Sequence, residues 1–202
     1  MPSLPYRLCA IDLDDTLLGP DHLLSKRNEN AIRAVIARGV TVVLASGRMF
    51  ATTVRFAEQL DLDTPIISYN GALVKNPRTG EVWLQECVPP PLAAQVLDYC
   101  REHHLQLNFY LNDHLYTAEQ TPWLVLYHHR TSAPFEIVRD FYSVLQTESP
   151  TKVIIVDAPE TIDRLLPFFR EKFEGALYVT KSNAEYLEFL PPKANKGSAL
   201  EM

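Results

Sequence analysis

The segment Ile11-Asp12-Leu13-Asp14-Asp15-Thr16-Leu17-Leu18 carries an apolar run straight into three carboxylates. Crowding acids in this way is electrostatically costly unless something positive joins them. A divalent cation does so, because Mg²⁺ prefers hard oxygen ligands and offsets the repulsion between carboxylates and an anionic substrate such as a phosphate ester. Alternation along an extended strand puts Asp12 and Asp14 on the same side, so that one attacks phosphorus while the other faces the leaving oxygen. The charge of Asp12 and of the phosphate is expected to raise the proton affinity of Asp14, as a general acid requires. The competing reading is an acidic turn that caps the next segment, an ordinary use of Asp and Thr.

Such a site needs a strand that ends at Asp12 and neighbours that end beside it. Arg7 to Leu13 and Val40 to Ala45 are nearly continuous apolar runs, the pattern of strands buried on both faces. Between them Ile32, Val35 and Ile36 share one helical face, with Ser25 placed as N-cap and Gly39 where a left-handed residue ends the helix. Phe50, Val54 and Ala57 repeat at helical spacing before Pro65, and Ile66, Ile67 and Tyr69 then form a third strand that stops at Asn70-Gly71. Two such units predict an α/β fold, a Rossmann-like parallel sheet with helices on both faces. After about residue 78 the rhythm changes. Trp83 to Val88, Gln106 to Leu111, Leu115 to Ala118, Lys152 to Val156, Ala176 to Thr180 and Tyr186 to Leu190 read as strands, the second and third joined at Asn112-Asp113-His114. Helices are expected after Pro89-Pro90-Pro91 and from Ile162 to Phe173. This pattern predicts an inserted α+β cap domain over 79–190, with 1–78 and 191–202 forming the core.

With these elements in place, Asp12 to Thr16 resembles the first motif of the haloacid dehalogenase (HAD) superfamily, an apolar strand followed by Asp-x-Asp-x-Thr. Many members have Gly before the Thr, where this chain has Asp15. Ser46-Gly47-Arg48 after the second strand and Ser68-Tyr69-Asn70-Gly71-Ala72 after the third are similar to the Cof-type, HAD-IIB subclass. The resemblance implies that Asp12 is the nucleophile, Asp14 its acid/base partner, and Ser46 the hydroxyl that holds a phosphoryl oxygen. Gly47, Arg48, Asn70 and Gly71 belong to the implied phosphate- and substrate-binding set, although Arg48 and Asn70 can equally hold loops in shape. Lys196, in a Lys-Gly-x-Ala-Leu context preceded by Tyr186-Leu187-Glu188-Phe189-Leu190, matches the family's charge-neutralising Lys better than Lys193 does.

The family's fourth motif, a Gly-Asp followed by Asn-Asp, comes after that Lys and is expected to be missing from a chain ending at Met202. The Asp12 carboxylate and the Asp14 carbonyl would then be the main protein ligands left for Mg²⁺, with weak affinity. A truncated core of this kind is expected to expose the edge of its first strand, and either to self-associate there or to fold poorly. The resemblance implies a Mg²⁺-dependent phosphatase of small phosphorylated metabolites such as sugar phosphates, acting through an aspartyl-phosphate. The alternative is a catalytically silent phospholigand-binding module, motivated by the missing ligands. A mutase ranks below both.

Composition narrows the partners. A formal charge of −6 without a Lys/Arg cluster argues against nucleic acid, and no apolar stretch suits a membrane span or a signal peptide, so a cytoplasmic location is expected. Cys9, Cys87 and Cys100 form no CxxC pair and read as packed thiols. His103, His104, His114, His128 and His129 lack the spacing of a metal site, and Trp83 and Trp123 are expected in the core of the insert.

Overall fold

The computed structural model describes residues 5–202. The chain divides into two compact units, Met1–Gln85 with Asn195–Met202, and Glu86–Ala194. The joints expected near 78 and 191 therefore fall several residues later. The reason at the first joint is a strand, Val82–Gln85, whose partner lies in the first unit.

In the first unit β1 (Leu8–Ile11) runs parallel to β2 (Thr41–Leu44), with Ile11 opposite Leu44. Between them lies α1 (Lys26–Ile36), started by the Ser25 hydroxyl accepting from the Asn28 N–H at 3.1 Å and followed by Gly39 at φ 81°. α2 (Phe50–Leu60) leads to β3 (Ile66–Ser68), which joins β2 through a parallel bridge between Ala45 and Ile67. The sheet then turns antiparallel through β4 (Leu73–Lys75) and β5 (Val82–Gln85). Antiparallel β4 was not expected, and it is the reason β5 belongs to this unit. β2 and β3 are buried throughout or nearly so, but β1 alternates between exposed and half-buried, with Leu8 46 % exposed. That differs from the expectation of burial on both faces. Among the described residues β1 pairs with β2 alone, so its other side lacks a neighbouring strand.

The second unit holds α3 (Pro90–Glu102), β6 (Gln106–Leu111), β7 (His114–Thr117), α4 (Pro122–Thr131), β8 (Phe135–Ile137), α5 (Phe141–Leu145), β9 (Lys152–Val156), α6 (Pro159–Lys172), β10 (Tyr178–Asn183) and β11 (Tyr186–Leu190). Its sheet order is β10-β11-β9-β6-β7-β8, antiparallel except between β7 and β8. Asn112 and Asp113 take φ of 49° and 62°, the left-handed pair that a tight hairpin requires. Alternation gives the sheet two unlike faces. Leu107, Phe109, Val153, Ile155, Leu187 and Phe189 pack with the inner sides of α3 and α6. The opposite face carries Tyr110, Lys152 and Glu188, all buried, with the Tyr110 hydroxyl 2.6 Å from that of Tyr127 on α4. Lys152 Nζ donates to Glu188 Oε1 at 3.1 Å. Trp83 is 53 % exposed on β5 and fills no core, in contrast to the expectation. Cys100 is buried on α3, while Cys9 and Cys87 are half-buried. Among the described residues no helix is long and apolar enough to cross a membrane.

Candidate active site

The last element of the chain, α7 (Lys196–Leu200), returns to the first unit and brings a cation to the first strand. Lys196 Nζ lies 2.9 Å from Asp12 Oδ1, which also accepts from the Leu13 N–H at 2.8 Å. Two donors on one oxygen leave Asp12 Oδ2 without a hydrogen bond among the described residues, the arrangement a carboxylate nucleophile needs.

Three features place that lysine. Asn195 caps α7 by accepting from the Ser198 N–H at 2.7 Å, and Ala199 is buried in a cluster with Val43, Ala45, Ile67 and Val74. Five residues of helix are too few to persist alone, so this contact is what holds them. The third feature is Gly71, at φ 102°, where an added Cβ would lie 2.3 Å from the Asn195 carbonyl oxygen. Only glycine lets the two backbones approach this closely.

Strand alternation does not arrange Asp12 and Asp14. The strand stops at Ile11, and Leu13–Leu17 forms one wide turn closed by Leu17 N–H to Asp12 O at 3.2 Å and Leu18 N–H to Leu13 O at 2.9 Å. Such five-residue turns are rare and recur at functional sites. Leu13 and Leu17 anchor it in the core, and inside it Asp15 takes φ 55°. That left-handed position suits the glycine seen in relatives of the motif, and Asp is among the few other residues that tolerate it.

Asp14 has a cation of its own. Arg48 Nε donates to Asp14 Oδ2 at 2.8 Å and Nη2 to Oδ1 at 2.5 Å, a two-pronged pair, and His22 Nδ1 stands 3.6 Å from Oδ1. Burial pushes the carboxyl's pKa up, but hydrogen bonding and charge from Arg48, with a smaller contribution from His22, outweigh it and leave the pKa lowered. The guanidinium beside Asp14 thus works against the rise in proton affinity expected from Asp12 and a phosphate.

The remaining expected residues support this frame. Ser46, fully buried at the end of β2, accepts through Oγ from the Arg48 N–H at 3.1 Å, while its own N–H donates to the Ile67 carbonyl. Arg48 directs its guanidinium to Asp14. Gly47 lies under Asn70, whose Oδ1 would be 2.8 Å from a Cβ added there. His22 was not foreseen, because the loop that carries it has no motif and the contact spans 26 residues to Arg48. His128 Nδ1 lies 2.7 Å from the Ala133 carbonyl and His114 Nδ1 3.0 Å from that of Asn112, both within the second unit.

Among the described residues no three His, Cys, Asp or Glu side chains gather into a metal cage. Mg²⁺ keeps several waters and needs only one or two carboxylates besides a phosphate, so the free oxygen of Asp12 and the main-chain carbonyl of Asp14 fit as hard donors. The Asp14 carboxylate is committed to Arg48.

The family described as haloacid dehalogenase-like hydrolase matches residues 9–202. This chain belongs to it. Among curated relatives, the haloacid dehalogenase-like protein is 28 % identical to phosphatase YwpJ of Bacillus subtilis (strain 168) over 219 residues, covering 96 % of this chain and 76 % of the relative. It is 27 % identical over 195 residues to the HMP-PP phosphatase of Cronobacter sakazakii, covering 96 % and 71 %. The crystal structure of TM0651 from Thermotoga maritima superposes with a TM-score of 0.84 at 30 % identity, over 97 % of this chain and 73 % of that one. The α/β architecture with an inserted domain is therefore that of the family.

Proposed function

We propose that this hydrolase is a phosphatase of small phosphorylated metabolites, sugar phosphates among them, working through an aspartyl-phosphate on Asp12. The observation that carries the proposal is the asymmetric Asp12 carboxylate, with Oδ1 tied to Lys196 and the Leu13 N–H and Oδ2 free. An in-line attack forms the bond from Oδ2 to phosphorus as the bond to the leaving oxygen breaks. Lys196 offsets the charge gathered by a carboxylate beside a phosphate. Asp14 gives a proton to the leaving oxygen and takes one from the water that then hydrolyses the acyl phosphate. A bound Mg²⁺ would supply further neutralisation of the phosphoryl oxygens. The phosphatase names of the two curated relatives support the reaction class.

A second reading is favoured by the fork from Arg48, which holds Asp14 in its ionised form, unable to act as an acid while the pair persists. On that reading the site binds a phospholigand without turning it over. One assay separates the two. Mg²⁺-dependent release of phosphate from an aryl phosphate, abolished in Asp12→Asn, is the expected result. Saturable phosphate binding by the wild-type chain without release of alcohol would replace the enzyme with the binding module.

A further inference from the structure

We infer that His22 is a positioning residue for Asp14, holding the carboxyl and its Arg48 partner where the leaving oxygen must collect its proton; the inference rests on the phosphatase reading above.

The loop that carries His22 is a small closed hairpin. Leu18 and Leu24 form an antiparallel bridge, Gly19 N–H donates to Leu23 O at 3.1 Å, and His22 N–H donates to Gly19 O at 2.9 Å. Pro20 stands at the second position of the Gly19-to-His22 turn, where its fixed φ is useful. The last residue of such a turn is left-handed, and hairpins of this kind prefer glycine there. This chain has His22 at φ 56°. The imidazole gives the loop nothing in return. Its side chain is 56 % exposed, and among the described residues its polar contacts are Asp14 Oδ1 at 3.6 Å and Arg48 Nη2 at 3.4 Å. A side chain kept at a strained position, with its contacts made to an acid/base group, points to a functional reason for the strain.

The geometry indicates what it does. Arg48 is fixed from behind, with 14 % of its side chain exposed and its main-chain N–H bound to Ser46 Oγ. His22 meets the pair on the outer side, at the Oδ1 and Nη2 edge. An arriving phosphate dianion competes with Asp14 for the guanidinium of Arg48. With that fork loosened, His22 is the neighbour left beside the Asp14 carboxyl to keep it in place. In the step that follows, the bond from Asp12 Oδ2 to phosphorus forms, the bond to the leaving oxygen breaks, and the proton of Asp14 passes to that oxygen.

The test exploits leaving groups. An alkyl phosphate needs the proton as its oxygen departs, whereas para-nitrophenyl phosphate needs it far less. The values of kcat/KM for both stop at phosphoryl transfer to Asp12, if that transfer is irreversible, so their ratio reports the acid step. In His22→Gly the alkyl-to-aryl ratio is expected to fall about tenfold, while Tm stays within about 2 °C of the parent's or rises, because glycine accepts the left-handed position. His22→Asn, which tolerates the same backbone and keeps a polar group, is expected to restore part of the ratio. In an Asp14→Asn background, His22→Gly should leave the ratio where Asp14→Asn alone put it. An unmoved ratio in His22→Gly, or a lowered Tm with both esters slowed alike, overturns the inference and leaves the phosphatase reading standing. A wild-type chain that cleaves neither ester with Mg²⁺ present overturns both.

Discussion

Replacing Gly71 by alanine tests the claim that a backbone contact sets the position of Lys196. The residue lies at φ 102°, outside the regions that L side chains occupy easily, and holding a Cβ there costs about 1–3 kcal/mol. The Cβ would also meet the Asn195 carbonyl oxygen at 2.3 Å and its carbon at 2.6 Å, where ordinary contact begins near 3.4 Å. Both are backbone atoms and cannot swing aside, so the Asn195 segment must retreat by about 1 Å, giving a total cost of about 2–4 kcal/mol. For a protein of this size that lowers Tm by roughly 5–15 °C. Gly80 supplies the control. It has φ 74° and nothing within 4 Å of its added Cβ, so Gly80→Ala carries the backbone strain alone. The retreat carries Lys196 with it, and a displacement of about 1 Å at a reacting group is worth about a hundredfold in rate. Thermal melts of both variants and kcat/KM on an aryl phosphate provide the readouts. Should Gly71→Ala melt no lower than Gly80→Ala, or melt lower while retaining its activity, the close approach does not place the lysine.

Two further outcomes concern stability. Lys152 and Glu188 form an ion pair that is almost wholly inaccessible, with side chains 4 % and 6 % exposed. Lys152→Met alone should cost about 3–5 kcal/mol in urea unfolding, and most of that should return when Glu188→Leu is added, because the penalty comes from the charge left behind. The carboxyls of Glu29, held chiefly by Lys26, and of Glu185, held chiefly by Arg130, have lowered pKa values. A group with a folded pKa below its unfolded one stabilises fully above the unfolded value, and that contribution fades as pH drops through the folded one. Tm should therefore hold steady from neutral pH to about 5 and decline below it. The double variant Glu29→Gln, Glu185→Gln should show a shallower decline, and an unchanged slope would assign the acid sensitivity elsewhere.

The sequence foretold what depends on local pattern and little of what depends on distant contacts. Ser25 as a cap, the apolar run of β2 and the Asn112-Asp113 hairpin follow from short-range rules, and each is present. The run from Arg7 to Leu13 misled in two ways. Its apolar character suggested burial on both faces, yet β1 is partly exposed, and its alternation was carried past Ile11 into a wide turn. Leu13 is buried because it anchors that turn, so periodicity cannot distinguish it from a strand residue. Lys196 was linked to Asp12 only by resemblance, since no local rule joins residues so far apart in the chain. The pairing of Arg48 with Asp14 had no sequence signal that separated it from substrate contact. A guanidinium suits a carboxylate and a phosphate equally well, and the structure places it on the carboxylate.

Backbone strain is the property least visible in the sequence, and here it gathers around the site. Of the non-glycine residues with positive φ among those described, Asp61, His104 and Ser132 follow helix ends and Asn112 and Asp113 turn a hairpin, all places where the geometry is routine. The remaining four are Asp15, Tyr69, Asn70 and His22, the last at the glycine-favoured position of its own hairpin but with its side chain beside Asp14. Two lie in the loops after β1 and two in the turn after β3, beside Gly71. Tyr69 is the least suited by side chain, yet it is fully buried and its N–H donates to the Arg48 carbonyl at 3.0 Å. The same turn that strains Tyr69 thus fixes the residue that grips Asp14, presents Asn70 over Gly47, and leaves at Gly71 the gap through which Asn195 brings Lys196 to Asp12. Strained residues persist only where surrounding contacts over-determine them. Here those contacts are the ones that bring a lysine to Asp12 and an arginine to Asp14 at the ends of adjacent strands, so relieving the strain and keeping these pairs together are competing demands on the same loops.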